Sequence, residues 1–406
     1  HVHEGLRIGD FVDAEVIRAA HFRGYEHDEL RAVVTALLRD GTPLQRIGAG
    51  EQAIVALDHT PFYAESGGQV GDQGRLEGPG GLFDVADTRK EGNVHLHLGM
   101  LASGALAVGD EVTARVDAAR RTRIRANHSA THLLHAALRR VLGPHVTQKG
   151  SLVDAERLRF DFSHGKPLTA GELRAIEDLV NAQVRANSEA QVQEMALAEA
   201  QQAGAMALFG EKYGERVRVL RLGDFSVELC GGTHVTRAGD IGLVKIIAES
   251  AVAAGVRRIE AVAGEGAMAW LAQAQDRLRS VAAALQTGDA DLLDKLDQLL
   301  QRQREQDKEL ERLRGRLASQ AGDSLTGQAV QVAGVQVLAT QVEAVDAKAL
   351  RDLADQLRQK LGSAVLLLAS VDSGKVGLVA AVTAGLTDRI KAGELVNAVA
   401  GQVGGK

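Results

Sequence analysis

The sequence predicts an α+β protein built from several units: a β-barrel-like unit, an α/β unit after it, a helical coiled-coil linker, and a small α/β domain at the end. Three observations lead there. Period-two runs and helical-period runs are mixed without strict strand–helix–strand alternation. Short strand-like runs crowd residues 52–116 between glycine-rich turns. From 264 to 318 the chain turns helical and charged, with a leucine seam over 292–317.

Composition bounds the possibilities. A chain of 406 residues accommodates two to three domains, and 45 % hydrophobic residues suffice for real cores. Aromatics are scarce at 3 % while glycines number 45, which favours tight turns and Ala/Leu/Val packing. The single cysteine excludes an intramolecular disulfide and fits a reducing compartment, so a cytoplasmic location is expected. No apolar run reaches the roughly 18 residues of a membrane span. A net charge of −6 argues against a globally basic nucleic-acid binder and leaves a local patch open. The chain begins His1-Val2-His3 without Met, as a piece of a longer protein would.

In chain order, residues 8–40 read mostly as helix, with Leu30, Val33, Val34, Leu37 and Leu38 on one face. Gln52 to Leu57 alternates as a strand. Thr60 to Asp72 is a glycine-bearing loop (TPFYAESGGQVGD) whose backbone amides can approach a ligand, though a plain turn has the same composition. Strands near 82–86, 94–98 and 111–116 complete the barrel-like unit. A helix over 118–142 carries the stripe Ala130, Leu133, Leu134, Ala137, Leu138, Val141 and stops at Gly143-Pro144. Strands over 146–153 and 157–163, a helix over 170–188 and strands near 191–195, 216–220, 225–229, 243–249 and 256–263 follow. Leu292, Leu296, Leu299, Gln303, Gln306, Leu310, Leu313 and Leu317 form a heptad seam, predicting a helical hairpin or a coiled coil that dimerises. After the breaker Gly322-Asp323-Ser324, a strand over 330–338, a helix over 347–361, strands over 364–368 and 376–383 and a last helix from 393 form the final unit. The expected divisions are 1–40, 41–118, 119–263, 264–320 and 321–406.

The chemistry centres on two fragments. His128 and His132 are four apart, so on a helix they share a face with Cβ atoms about 5–6 Å apart. Cys230-Gly231-Gly232-Thr233-His234 repeats the spacing across two glycines and reads as a turn. Three imidazoles and one thiolate suit Zn²⁺. The alternative is a buried cysteine with helix-surface histidines. Ser129 stands where a zinc protease places its glutamate, which removes the protease reading. His135 is a neighbour rather than a ligand. Arg121, Arg123 and Arg125, one to two turns before His128, form either a solvated basic face or a phosphate contact.

Taken together, the 60–72 loop, the His128/His132 pair, the 230–235 CGGTHV turn and the 255–261 segment GVRRIEA resemble the alanyl-tRNA synthetase family, over nearly the whole chain. The resemblance implies an aminoacyl-tRNA hydrolase that edits mischarged Ser-tRNA(Ala) and Gly-tRNA(Ala), with Zn²⁺ on His128, His132, Cys230 and His234. It implies Thr131 as reader of the seryl hydroxyl and Gln148 as the group orienting the amino acid or a water. Gly67 and Gly68 would hold the tRNA 3′ end, and Arg121, Arg123, Arg125 and Lys149 would meet phosphates. The last domain would dock tRNA(Ala), and a homodimer would form through the 292–317 heptad and that domain. Threonyl-tRNA synthetase editing domains share the HxxxH and CxxxH theme but not the 60–72 loop. A class II aminoacylation signature is not found, so the ATP-dependent half of the parent ligase is expected to be missing. Two other classes stay open: a zinc-stapled tRNA-binding module without turnover, and an exonuclease-related nuclease part built on the last domain, which lacks the clustered Asp/His metal motifs such nucleases use; a free-standing trans-editing deacylase is a variant of the main reading.

Overall fold

The structure, a computed structural model, describes residues 20–206, 215–343, 346–372 and 374–402. It is mixed α+β and divides into two compact units, up to Asp276 and from Arg277 on. Among the described residues no helix is long and apolar enough to cross a membrane.

The first unit begins with a closed barrel of six antiparallel strands: β1 (Glu29–Arg39), β2 (Gln52–Leu57), β3 (Gly74–Glu77), β4 (Gly81–Glu91), β5 (Val94–Ala107) and β6 (Glu111–Val116). The ring runs β6-β3-β4-β5-β2-β1, and β1 pairs back onto β6. Closure leaves no edge among these six. Val34, Leu37, Val55, Leu57, Leu76, Phe83 and Leu101 fill its interior.

Here the expected helix over 8–40 is corrected. Residues 8–19 lie outside the described residues, and 29–39 are the strand β1. A bulge between Val34 and Ala36 explains the misleading pattern. Before it, Ala32 and Val34 face the barrel interior; after it, Leu37 does, while Ala36 and Leu38 join a second apolar cluster with Ile54, Leu96 and Leu98. One extra residue turned a spacing of two into a spacing of three, which imitates a helix.

Helix α1 (Ala118–Leu142) follows directly, capped by Asp117 accepting from the Arg120 N–H. It is buried without interruption from Ala126 to Leu138. A helix apolar on one stripe and polar elsewhere normally shows its polar side to water; here Asn127, His128, Ser129, Thr131, His132 and His135 are all inside. Each therefore needs an internal partner. α1 and α2 (Ala170–Ala186) pack together, and α1 lies against an antiparallel sheet ordered 148–153, 158–163, 256–263, 244–253. A three-stranded sheet of Ala190–Ala196, Arg216–Leu222 and Ser226–Leu229 delivers the chain to Cys230.

The barrel is stitched to this domain through the 60–72 loop. Val153 N–H donates to Gly68 O and Val70 N–H to Val153 O, so the loop lies along the 148–153 strand. Gly68 sits at φ +84°, and a Cβ there would meet Ser151 O at 2.6 Å. That close approach is a sufficient reason for glycine.

In the second unit a 35-residue helix, Leu292–Thr326, passes straight through the expected breaker at 322–324. The expected single strand over 330–338 is a hairpin, Val330–Val332 and Val335–Glu343, turning at Ala333 (φ +49°) and Gly334 (φ +84°). Two consecutive left-handed residues give the turn that matches strand twist. Val335–Glu343 then pairs in parallel with Ala364–Asp372 across the helix Ala347–Leu361, and Lys375–Val382 closes the sheet. Leu350, Leu353, Leu357, Leu366 and Leu368 form the core.

Candidate metal centre

His128, His132, Cys230 and His234 come together, and one ligand atom from each lies within 4.8 Å of all the others. Among the described residues this is the one such cluster. Helix periodicity brings the two histidines of α1 onto one face. The 226–229 strand ends at the helix and the glycine turn folds the sulfur back. Cys230 Sγ is 3.5 Å from His128 Nε2 and 3.3 Å from His234 Nε2. With zinc–sulfur and zinc–nitrogen bonds of about 2.3 and 2.0–2.1 Å, tetrahedral ligand atoms sit roughly 3.3–3.6 Å apart, so these two separations fit.

Every imidazole is gripped at Nδ1. His128 Nδ1 is 2.8 Å from Gln69 Oε1. That oxygen also accepts the Thr233 N–H, and Gln69 Nε2 donates to Thr233 Oγ1, which fixes the amide's orientation. His128 Nδ1 therefore carries the proton, and its Nε2 presents a lone pair. His132 Nδ1 donates to Glu228, whose other oxygen takes His135 Nδ1 at 2.6 Å. His234 Nδ1 is 3.2 Å from Ser129 Oγ. His132 Nε2 is left buried with no hydrogen-bond partner, a costly state for a polar atom that a cation relieves. Holding the far nitrogen of a ligating histidine is how proteins orient metal ligands.

The charges agree. Burial alone raises the Cys230 thiol, but His128, His234 and His132 together pull it well below its ordinary value. Burial likewise opposes ionisation of Glu228, yet His132 and His135 bring it down to about 2. Against its own burial, His132 is raised to about 10 by the Cys230 thiolate and Glu228. Burial pushes His234 down to about 3. Two buried anions thus call for positive charge, and a cation supplies it in place of a proton. The cluster is compatible with zinc.

The remaining sequence-predicted residues divide. Thr131 is 5 % exposed and its hydroxyl donates to Asn127 O one turn back. Gln148 is half-buried at the start of its strand, and Lys149, exposed, falls in a bulge between Gln148 and Gly150. Gly67 is exposed at φ +58°. Arg123 is exposed, and Arg125 is half-buried against Asp28. Arg121 is corrected: it is wholly buried, donating to Asp72, Asp28, Gly24 O and Pro61 O, and no phosphate reaches it. Its guanidinium ties α1 to the barrel loop.

Gln69 and Glu228 were not singled out from sequence. Gln69 lies within the 60–72 loop, whose glycines are its more conspicuous signal. Glu228 lies two residues before Cys230, in the strand that leads into the turn, a spacing of two that signals a shared side in extended chain.

Three family descriptions match the chain. Residues 8–120 match tRNA synthetases class II (A), a span that includes the barrel. Residues 217–260 match the threonyl and alanyl tRNA synthetase second additional domain, which contains the Cys230 turn. Residues 334–406 match the DHHA1 domain. The candidate ligands His128 and His132 lie between the first two matches and Cys230 and His234 within the second, and the three matches fit a chain of the alanyl- or threonyl-tRNA synthetase type.

Proposed function

We propose that this chain edits mischarged tRNA, hydrolysing the ester of Ser-tRNA(Ala) and Gly-tRNA(Ala) at a zinc centre formed by His128, His132, Cys230 and His234. The observation that carries the reading is the cluster of three imidazoles, each held at Nδ1, around one thiolate. In the reaction, water adds to the carboxyl carbon, the carbon–oxygen bond to the terminal ribose breaks, and the ribose hydroxyl leaves with a proton. Bound Zn²⁺ supplies Lewis-acid stabilisation of the charge that develops on the ester or the leaving oxygen.

The chain's own residues supply selection and grip. Thr131 spends its proton on Asn127 O and keeps lone pairs free to accept a seryl hydroxyl. Alanine has no such group, and an unpaired buried polar atom costs about 1–3 kcal/mol. Gln148 orients the amino acid or the water. Gly67 and Gly68 let the 3′ end approach backbone, and Arg123, Arg125 and Lys149 meet phosphates of the acceptor stem. The C-terminal domain docks tRNA(Ala), and the exposed seam of the 292–326 helix joins two copies.

A second reading has a specific observation in its favour. Four protein ligands make a closed site of the kind seen in structural zinc, whereas catalytic zinc keeps a position open. A zinc-stapled tRNA-binding module without turnover matches that count. The decisive measurement is zinc content together with deacylation of Ser-, Gly- and Ala-charged tRNA. Cys230→Ala should lose zinc affinity and slow Ser-tRNA deacylation at least roughly tenfold. Zinc uptake without any ester release by the parent chain would favour the binding module.

A further inference from the structure

The Cys230 turn contains two successive glycines, the residues that lose most conformational freedom on ordering. Something must hold it. Its three consecutive carbonyls each accept a hydrogen bond from a side chain outside the ligand set. Arg218 Nη1 donates to Cys230 O at 3.2 Å and to Gly232 O at 2.6 Å. The Tyr25 hydroxyl donates to Gly231 O between them, at 2.5 Å. The two side chains also meet: the Arg218 guanidinium carbon stands 3.9 Å over the centre of the Tyr25 ring. The Gly232 nitrogen lies 3.4 Å from Cys230 Sγ, and its N–H favours the thiolate.

Tyr25 is itself fixed from the helix that carries the other ligands. A Cβ on Gly24 would meet Pro61 O at 2.2 Å, so that turn admits only glycine. Arg121 of α1 donates to Gly24 O at 2.9 Å, and the Phe22 ring packs edge-on against Tyr25 at 4.8 Å. α1 thus bears His128 and His132 and, two turns earlier, anchors the segment that reaches across to Cys230.

We propose that Tyr25 and Arg218 are positioning residues that lock the Cys230–Gly232 turn in its ligating shape, so that the thiolate is presented to the metal preorganised. The proposal rests on the zinc reading of the cluster for its purpose. The lock is built of protein hydrogen bonds alone and can be measured on the chain stripped of metal. Neither residue touches a ligand side chain by hydrogen bond; both act through the peptide backbone. The phenol is the informative atom, because packing alone needs the ring and not the hydroxyl.

The test uses the full chain and two variants, Tyr25→Phe and Arg218→Met. Tyr25 is 42 % exposed, so removing its hydroxyl spares the fold. In the metal-free chain, amide hydrogen exchange over residues 229–235 should speed up about fivefold in Y25F and more in R218M. Zinc affinity, by competition with a chromogenic chelator, should weaken roughly three- to tenfold in Y25F and ten- to hundredfold in R218M, as for other groups that orient metal ligands. The thiolate-to-metal absorption of the Co²⁺-loaded chain should weaken in the same order. Faster exchange with no zinc uptake by the parent chain would keep the lock and remove the metal reading. Unchanged exchange in Y25F, with parental zinc affinity, would overturn the lock.

Discussion

His97 faces Phe62 of the barrel interior and is fully buried. Its Nδ1–H donates to Val55 O, and its Nε2 accepts from the Thr60 hydroxyl, which in turn takes the Phe62 N–H. That arrangement needs the neutral ring, and burial lowers its pKa from 6.5 to about 4. Above pH 6.5 neither folded nor unfolded chain holds the proton. As pH falls, the unfolded chain binds it first, so stability is lost between the two values. The expected loss is about 3 kcal/mol for this residue, and His95, lowered to about 4 chiefly by burial, adds in the same direction. Urea denaturation from pH 7 to 4 should show this decline, and His97→Gln should flatten it; an equally steep slope in the variant would refute the assignment. Gly232 makes a different prediction at the same scale. A Cβ there would meet His128 Cε1 at 2.1 Å and Gln69 Oε1 at 2.8 Å. Gly232→Ala should therefore weaken zinc binding by at least roughly tenfold, and calorimetric titration giving the parental affinity would show that the turn yields.

The long helix Leu292–Thr326 displays leucines to solvent, with Leu296 at 43 %, Leu310 at 49 % and Leu317 at 66 % exposed. Their heptad spacing gives one continuous stripe with Gln303 and Gln306 in its middle. Each leucine buried against a second copy contributes about 1.5–3 kcal/mol before ordering costs. The double variant Leu310→Glu/Leu313→Glu should be monomeric under conditions where the parent sediments as a dimer. Sedimentation velocity showing a monomeric parent at tens of micromolar would dismiss this seam as the dimer contact.

For the whole molecule, division into two units allows chemistry and docking to be separated. The metal cluster lies wholly in the first, and the DHHA1 match wholly in the second. A cut at 320 would sever the 292–326 helix and one at 276 the helix Glu265–Ala284, so the truncation that leaves no helix broken removes 288–406. It should raise the dissociation constant for tRNA while leaving turnover at saturating tRNA largely intact. The salt dependence of binding should become shallower as phosphate contacts are lost. Filter binding and single-turnover deacylation measure the two quantities; a collapse of saturated turnover would place part of the chemistry in the second unit.

Local pattern alone gave the span of α1, its shared histidine face, the strand alternation across the 148–263 region and the matching CxxxH turn, because each depends on residues within a few positions of one another. It failed at the 29–39 strand, where a bulge broke the period, and at the 330–338 hairpin, where a left-handed alanine carries no turn signature. Arg121 looked like a free cation because its partners, Asp72, Asp28, Gly24 and Pro61, lie 49 to 97 positions away. Glu228 and Gln69 acquired meaning only once α1 lay beside them. What the sequence by itself determined was which four side chains are candidate ligands, His128, His132, Cys230 and His234. Only the tertiary structure decided which nitrogen of each imidazole faces the sulfur, since that choice is made by hydrogen bonds from segments distant in the chain.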